Sequence, residues 1–162
     1  MQKNRNRLSL KRFYLKTIGR ILPTDLFAPR FPVSLKGICL IDGKVILVQN
    51  EHDEWDLPGG KLGTDESLQQ CLVREMKEEL GIWVKPAELI DMLKVRVRGL
   101  IDVLVPVYTC TTEASCDDLI LSAEHFKVRC FDLNELSQLI MAADYGPLIR
   151  KALAKGAEPL PV

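Results

Sequence analysis

The sequence has no uninterrupted apolar run approaching the roughly 18 residues that a membrane-spanning helix needs. Its best stretch, Leu100 to Val107, is broken by Asp102 and Pro106. A helical membrane span is therefore excluded. The N-terminus opens with basic residues but has no apolar segment or small-residue cleavage site behind them, so a secretory leader is not expected and a cytoplasmic location is. Cysteine is sparse and odd in number, with Cys39, Cys71, Cys110, Cys116 and Cys130 as the 5 present. None forms a C-x-x-C pair and most sit inside apolar runs, which predicts reduced, buried thiols. Histidine is scarcer still. His52 and His125 are far apart and near no cysteine, so neither a zinc finger nor a Cys-His nucleophile pair is spelled out. A net charge of either sign is also missing, because 22 Lys+Arg balance 22 Asp+Glu.

What is present is one domain's worth of chain, 162 residues with 47% apolar side chains, enough to bury a core without disulfides or a structural metal. The balanced charge hides a split. Lys3, Arg5, Arg7, Lys11, Arg12, Lys16, Arg20, Arg30 and Lys36 face one acid, Asp25, in the first 36 residues, so the remainder is acidic. Leu10, Phe13, Tyr14, Ile18, Ile21 and Leu22 recur there at helical spacing. Residues 1–32 thus read as a basic helical extension ending in a connector marked by Pro23, Pro29 and Pro32. Its apolar stripe predicts packing on the acidic body or on a second copy of the chain in a homodimer, and disfavours nucleic acid as the partner.

Beyond it the pattern becomes strand-like. Residues 33–41 and 44–49 flank Asp42-Gly43 and read as a hairpin. Residues 50–65 are rich in turn formers. Residues 66–80 lack Gly and Pro, carry Leu68, Leu72, Met76 and Leu80 at four-residue intervals, and end at Gly81, the pattern of a capped helix. Strands are expected at 89–97, 101–112 and 126–131, then helices at 132–141 and 146–154, with Trp55, Trp83, Tyr108 and Phe126 packed as core aromatics. Strands and helices mix without regular alternation, so the fold class is α+β, with the main domain over 33–155 and a tail over 156–162.

The chemistry is concentrated on the helix after the glycine loop. At about 100° per residue, Glu75, Glu78 and Glu79 share one side, and Glu79 falls angularly between Leu68 and Leu72 at the edge of the apolar stripe. Burying an unpaired carboxylate costs several kcal/mol, and three carboxylates on one side repel one another unless a cation lies among them. Oxygen donors without histidine suit Mg²⁺ or Mn²⁺ rather than Zn²⁺.

The segment Gly60 to Ile82 resembles the signature of the Nudix hydrolase family, G-x5-E-x7-R-E-U-x-E-E-x-G-U with U aliphatic. Gly60, Glu66, Arg74, Glu75, Met76, Glu78, Glu79, Gly81 and Ile82 fill every defined position. Trp55-Asp-Leu-Pro-Gly-Gly60 is similar to that family's approach to its box. The resemblance implies an α/β/α sandwich with a mixed sheet and a hydrolase that cleaves the pyrophosphate of a nucleotide by water attack on phosphorus, with Mg²⁺ or Mn²⁺ required. It implies Glu75, Glu78 and Glu79 as metal ligands with the Gly60 carbonyl, Arg74 orienting a glutamate, and Glu66 anchoring the loop. Glu124, in a loop beyond the box, is the candidate general base, and Trp55 and Lys61 are the candidates for substrate contact.

The resemblance leaves the substrate open. A small nucleotide is expected: a nucleoside diphosphate derivative such as ADP-ribose or a nucleotide sugar, with a house-cleaning (d)NTP pyrophosphatase as the alternative. A non-catalytic Nudix-fold module binding nucleotide or RNA is a third reading, against which the intact carboxylate set weighs.

Overall fold

The computed structural model describes residues 30–120 and 127–155. The basic segment before residue 30, the C-terminal tail from 156, and Glu124, His125 and Phe126 lie outside the described residues.

Among the described residues, six strands form one sheet: β1 (Lys36–Ile41), β2 (Lys44–Gln49), β3 (Trp55–Asp56), β4 (Lys85–Val97), β5 (Ile101–Thr111) and β6 (Lys127–Phe131). Their order is β3-β2-β1-β5-β4, with β6 also paired to β2. β1 and β5 run parallel, with Ile38 opposite Thr109, while the other pairings are antiparallel. The sheet is therefore mixed. Asp42 and Gly43 turn the β1–β2 hairpin in the left-handed conformation that Asp-Gly favours.

Among the described residues, two α-helices cover the sheet, α1 (Leu68–Leu80) and α2 (Gly146–Ala154). Helix α1 begins where the sequence can cap it. The Ser67 hydroxyl accepts from the Gln70 N–H while the Gln70 side chain accepts from the Ser67 N–H, a reciprocal capping box. It ends at Gly81, whose φ of 72° suits glycine and whose N–H donates to the Lys77 carbonyl.

Strands covered on both faces read as continuous apolar runs rather than alternating ones. Val45, Ile46, Leu47 and Val48 of β2 are all buried. Ile46 and Val48 pack with Cys71, Leu72, Met76 and Leu80 of α1. Val45 and Leu47 point to the other face and pack with Leu148, Ile149 and Ala152 of α2. This places α1 and α2 in separate layers.

Four expectations change. The segment 132–141 is not an α-helix but contains only a 3-10 turn, Leu136–Gln138. Tertiary pairing overrides its periodicity, because the Trp55 N–H donates to the Ile140 carbonyl and the Ala142 N–H to the Trp55 carbonyl, which holds residues 140–142 extended beside β3. β3 itself falls within the stretch expected to be loop. Cys116 and Cys130 are not reduced thiols but form a disulfide that ties the turn Cys116–Asp118 to β6. Cys39, Cys71 and Cys110 are free and buried as expected, and burial pushes the thiols of Cys39 and Cys71 up to about 12. Trp83 is not a core aromatic but 67% exposed, because Ile82 and Val84 on either side of it take the buried positions. Tyr108 is buried as expected.

The cap carries the first prediction. Ser67→Ala should lower unfolding stability by about 1 kcal/mol, the usual worth of such a cap, with a matching fall in the urea midpoint and an unchanged m-value.

Candidate functional site

The stretch from Leu57 to Leu62 runs alongside residues 33–37, held by backbone hydrogen bonds. The Gly37 N–H donates to the Pro58 carbonyl at 3.0 Å, the Leu35 N–H to the Gly60 carbonyl at 2.8 Å, and the Leu62 N–H to the Val33 carbonyl at 3.1 Å. The contact is so close that it admits no side chain. Gly59 has a φ of 127°, and a Cβ there would stand 2.2 Å from the Leu35 oxygen. A positive φ and a clash with backbone together require glycine.

Helix α1 lays its carboxylates on this loop. Glu79, 6% exposed, accepts the Gly59 N–H on Oε2 at 2.8 Å. Glu75 lies against Gly60, where an added Cβ would be 2.4 Å from its carboxyl carbon. Glu78, one turn from Arg74, is largely exposed. The expectation that Glu79 is drawn to the core edge is met, and the backbone amide of the loop is one of its partners.

Arg74 organises the rest. Its Nε donates to Glu66 Oε2 at 3.1 Å and its Nη2 to Glu66 Oε1 at 2.7 Å, the two-pronged geometry that suits a guanidinium. Nη1 reaches Glu75 at 2.8 Å and Glu78 at 3.0 Å, and Nη2 also donates to the Lys61 carbonyl at 3.2 Å. Glu66 in turn accepts the Gly63 N–H at 2.7 Å, which ties the loop to the helix. The Arg74 guanidinium and this amide hold the Glu66 carboxyl down at about 2. Glu75 moves the other way. Burial raises its pKa, and the charges of Glu79 and Glu78 add to the rise while Arg74 opposes it.

The site residues expected from the sequence are thus brought together on the loop and α1. Trp55 stands apart: its ring packs edge-on against Phe131 with centroids 4.6 Å apart. Lys61 is exposed beside the Arg74 cluster. Glu124 lies outside the described residues. Among the described residues, no three His, Cys, Asp or Glu side chains stand close enough together to hold a metal as arranged. Glu75 and Glu78 are turned to Arg74, and Glu79 to the Gly59 amide.

The sequence reading missed a largely buried ion pair. Lys36, 9% exposed, reaches Asp56 Oδ2 at 3.0 Å and donates to the Gly59 carbonyl at 3.1 Å. A lysine inside the apolar run Leu35 to Ile41 is its one signal in the sequence, since such a charge needs a partner.

Comparison with known proteins places this geometry in a family. The model of the NUDIX domain matches residues 34–152. The chain therefore belongs to the Nudix family. It is 42% identical over 65 residues to a CTP pyrophosphohydrolase of Escherichia coli, a match spanning 37% of this chain and 48% of that relative. It is 33% identical over 66 residues to a putative ADP-ribose pyrophosphatase of Bacillus subtilis, spanning 40% of this chain and 32% of the other. The chain thus spans half or less of the length of both relatives. Among solved structures, a MutT protein from Methanosarcina mazei Go1 superposes with a TM-score of 0.67 at 21% identity, covering 82% of this chain and 99% of that one, which shows the Nudix fold.

The depressed Glu66 carboxyl gives a test in pH. Folded Glu66 titrates near 2 and its unfolded value is 4.5, so its contribution is complete above 4.5 and disappears as pH falls through that window. Glu66→Gln should flatten the acid limb of stability between those values, read as urea midpoints against pH. An unchanged slope would remove the Arg74–Glu66 pair from the account.

Proposed function

We propose that the chain is a pyrophosphohydrolase that cleaves the pyrophosphate of a nucleoside diphosphate derivative, ADP-ribose or a nucleotide sugar being the type, by attack of water on phosphorus. The observation that carries the reading is the complete box folded as a unit: a glycine loop with Glu75 seated on Gly60, Glu79 on the Gly59 amide, and Arg74 gathering Glu66, Glu75 and Glu78. A nucleoside triphosphate is the second reading, favoured by the relative named as a CTP pyrophosphohydrolase and by an 8-oxo-dGTP diphosphatase of Proteus vulgaris, 49% identical over 37 residues.

Nudix hydrolases require a divalent metal, and the donor set here fits a hard cation. Three carboxylates lie on one side of α1, and the missing side chain of Gly60 opens a cradle that a Cβ would fill. Glu75, Glu78 and Glu79 would hold Mg²⁺ or Mn²⁺, with the second lone pair of the Gly60 carbonyl as a further donor, since its first accepts the Leu35 N–H. Such an ion supplies neutralisation of the phosphate charge that develops during displacement.

The chain's own groups do the positioning. Arg74 fixes the Glu75 and Glu78 carboxylates in the absence of a cation and can keep its hold on Glu66 when they turn away. Glu66 locks the loop through the Gly63 amide. Lys61 presents an exposed ammonium beside this cluster for the phosphates of the substrate, and Trp55 offers the part of its half-buried ring not packed on Phe131.

Glu78→Gln and Glu79→Gln should each lower kcat by at least about 10²-fold at nearly unchanged KM. Chelation of divalent metal should abolish turnover. Rates within a few-fold of wild type for both variants would end the ligand assignment. Turnover in ¹⁸O-water should place the label on a phosphate of one product; label on a sugar carbon would overturn attack at phosphorus.

A further inference from the structure

The cysteines divide into two kinds by exposure. Cys39, Cys71 and Cys110 are 0% exposed. Cys116 and Cys130 are half-buried, and their disulfide lines a cavity of about 350 Å³ with Lys44, Leu119, Val128 and Arg129, at the small end of the range for small-molecule sites. Lys44 and Arg129 are each ion-paired, with Asp132 and Glu135, so the cavity admits a small molecule without a strong demand on its charge.

Reactivity divides them in the same way. Burial pushes the thiols of Cys39, Cys71 and Cys110 up, which keeps them protonated and shielded at neutral pH. A disulfide whose sulfurs border an open cavity can instead be attacked by an external thiolate. Thiol chemistry on this chain is therefore directed to one pair.

The bridge does not build either of the parts that it joins. Strand β6 is paired with β2 along its whole length, from Val45 opposite Phe131 to Gln49 opposite Lys127. The turn at Cys116 is closed by its own contacts. The Ser115 N–H and hydroxyl both donate to Asp118 Oδ2 at 2.8 Å, and the Asp118 N–H donates to the Ser115 carbonyl at 3.2 Å. Cutting the bridge leaves both parts folded and frees the joint between them.

The turn side of that joint leads to the carboxylate helix. The Ile120 N–H donates to the Leu80 carbonyl at 2.9 Å, and the Ile120 side chain lies against Gly81, 3.1 Å from where a Cβ would stand. Cys116 and Leu119 pack against the same cluster as Leu72, Met76 and Leu80. The last turn of α1, which carries Glu78 and Glu79, is thus held from outside by a segment that the bridge ties to the sheet.

We propose that Cys116–Cys130 is a reversible thiol–disulfide switch opened by a small-molecule thiol, and that the oxidised form fixes the end of α1 with Glu78 and Glu79 in working position. The inference deepens the proposed function and rests on it for its turnover readout. In the exchange a thiolate attacks one sulfur, the S–S bond breaks, and the other cysteine leaves as a thiolate. A second thiolate attacks the resulting mixed disulfide and displaces the first cysteine. The chain gains two electrons and two protons, and the two small thiols leave as their disulfide.

The test sets the air-oxidised wild-type chain beside the same chain reduced with dithiothreitol, both without denaturant. Alkylation and peptide mass spectrometry should find new thiols at Cys116 and Cys130, with Cys39, Cys71 and Cys110 unlabelled until the chain is unfolded. Hydrogen exchange without added metal should speed up at the Ile120 amide by at least about 10-fold on reduction. With Mg²⁺ and a nucleotide substrate, kcat should fall by at least about 5-fold and return on reoxidation. A Cys116→Ser/Cys130→Ser chain should stay at the reduced level and ignore dithiothreitol. A pair that stays closed in the folded wild-type chain would overturn the proposal, and so would an opened pair that leaves Ile120 exchange, or the turnover of an active enzyme, unchanged. Redox-dependent exchange at Ile120 in a chain that hydrolyses no nucleotide in either state would sustain the switch and count against the hydrolase.

Discussion

The contact of α1 with the backbone of the glycine loop is the constraint on which the site depends. Glu79 accepts the Gly59 amide in a nearly dry environment, and Glu75 lies where a side chain at Gly60 would be. Neither contact leaves room for adjustment. The loop cannot retreat, because on its other side the Gly60 and Pro58 carbonyls are fixed by amides of Leu35 and Gly37. The helix cannot retreat either, because Leu72, Met76 and Leu80 on its adjoining face are fully buried. Acidic groups are thus pressed against backbone by the packing of the apolar stripe beside them, and the fold bears the cost of their desolvation.

That cost explains the place of Arg74. Glu75 is raised by burial and by the like charges of Glu79 and Glu78. A single guanidinium serves Glu66, Glu75 and Glu78, with the tightest pairing given to Glu66 through two prongs. Glu66 belongs to the loop side of the site, and its contact with Gly63 makes it an anchor. Glu75 and Glu78 share the remaining nitrogen. On the proposed reading, the division lets one arginine hold the architecture at Glu66 while its grip on the other two is exchanged for a different cation. A lysine in its place would offer a point charge without the fork and could not do both.

Much of this was legible in the sequence because it is local. The spacing of Leu68, Leu72, Met76 and Leu80 set the buried face of α1, Ser67 and Gly81 set its ends, and the box residues are within helical reach of one another. The Asp42-Gly43 hairpin was legible for the same reason. What was not legible depends on distant partners. The segment 132–141 carries helix-like periodicity, yet Ile140 and Ala142 pair with Trp55, some 85 residues away by sequence count. The Cys116–Cys130 disulfide has no spacing signature, and it forms because a turn after β5 is brought beside β6. Glu78 and Glu79 are adjacent in sequence and equal in type, but one is exposed and the other buried, a distinction set by where the loop lies.

Lys36 and Asp56 show why the wider site escapes local reading. Each is an ordinary residue in its own segment, and only the antiparallel run of residues 33–37 beside 58–62 brings them together. Their pair then does two jobs. It neutralises a lysine that the strand carries into the sheet interior, and it ties the Gly59 carbonyl to β1 while the Gly59 amide is tied to α1. A buried ion pair of this kind contributes little net stability, because desolvating both charges offsets their attraction. Its value lies in position. By fixing both faces of one peptide-bearing glycine, it holds the loop in place against the carboxylates of α1, so the site is ordered without the loop having to rearrange.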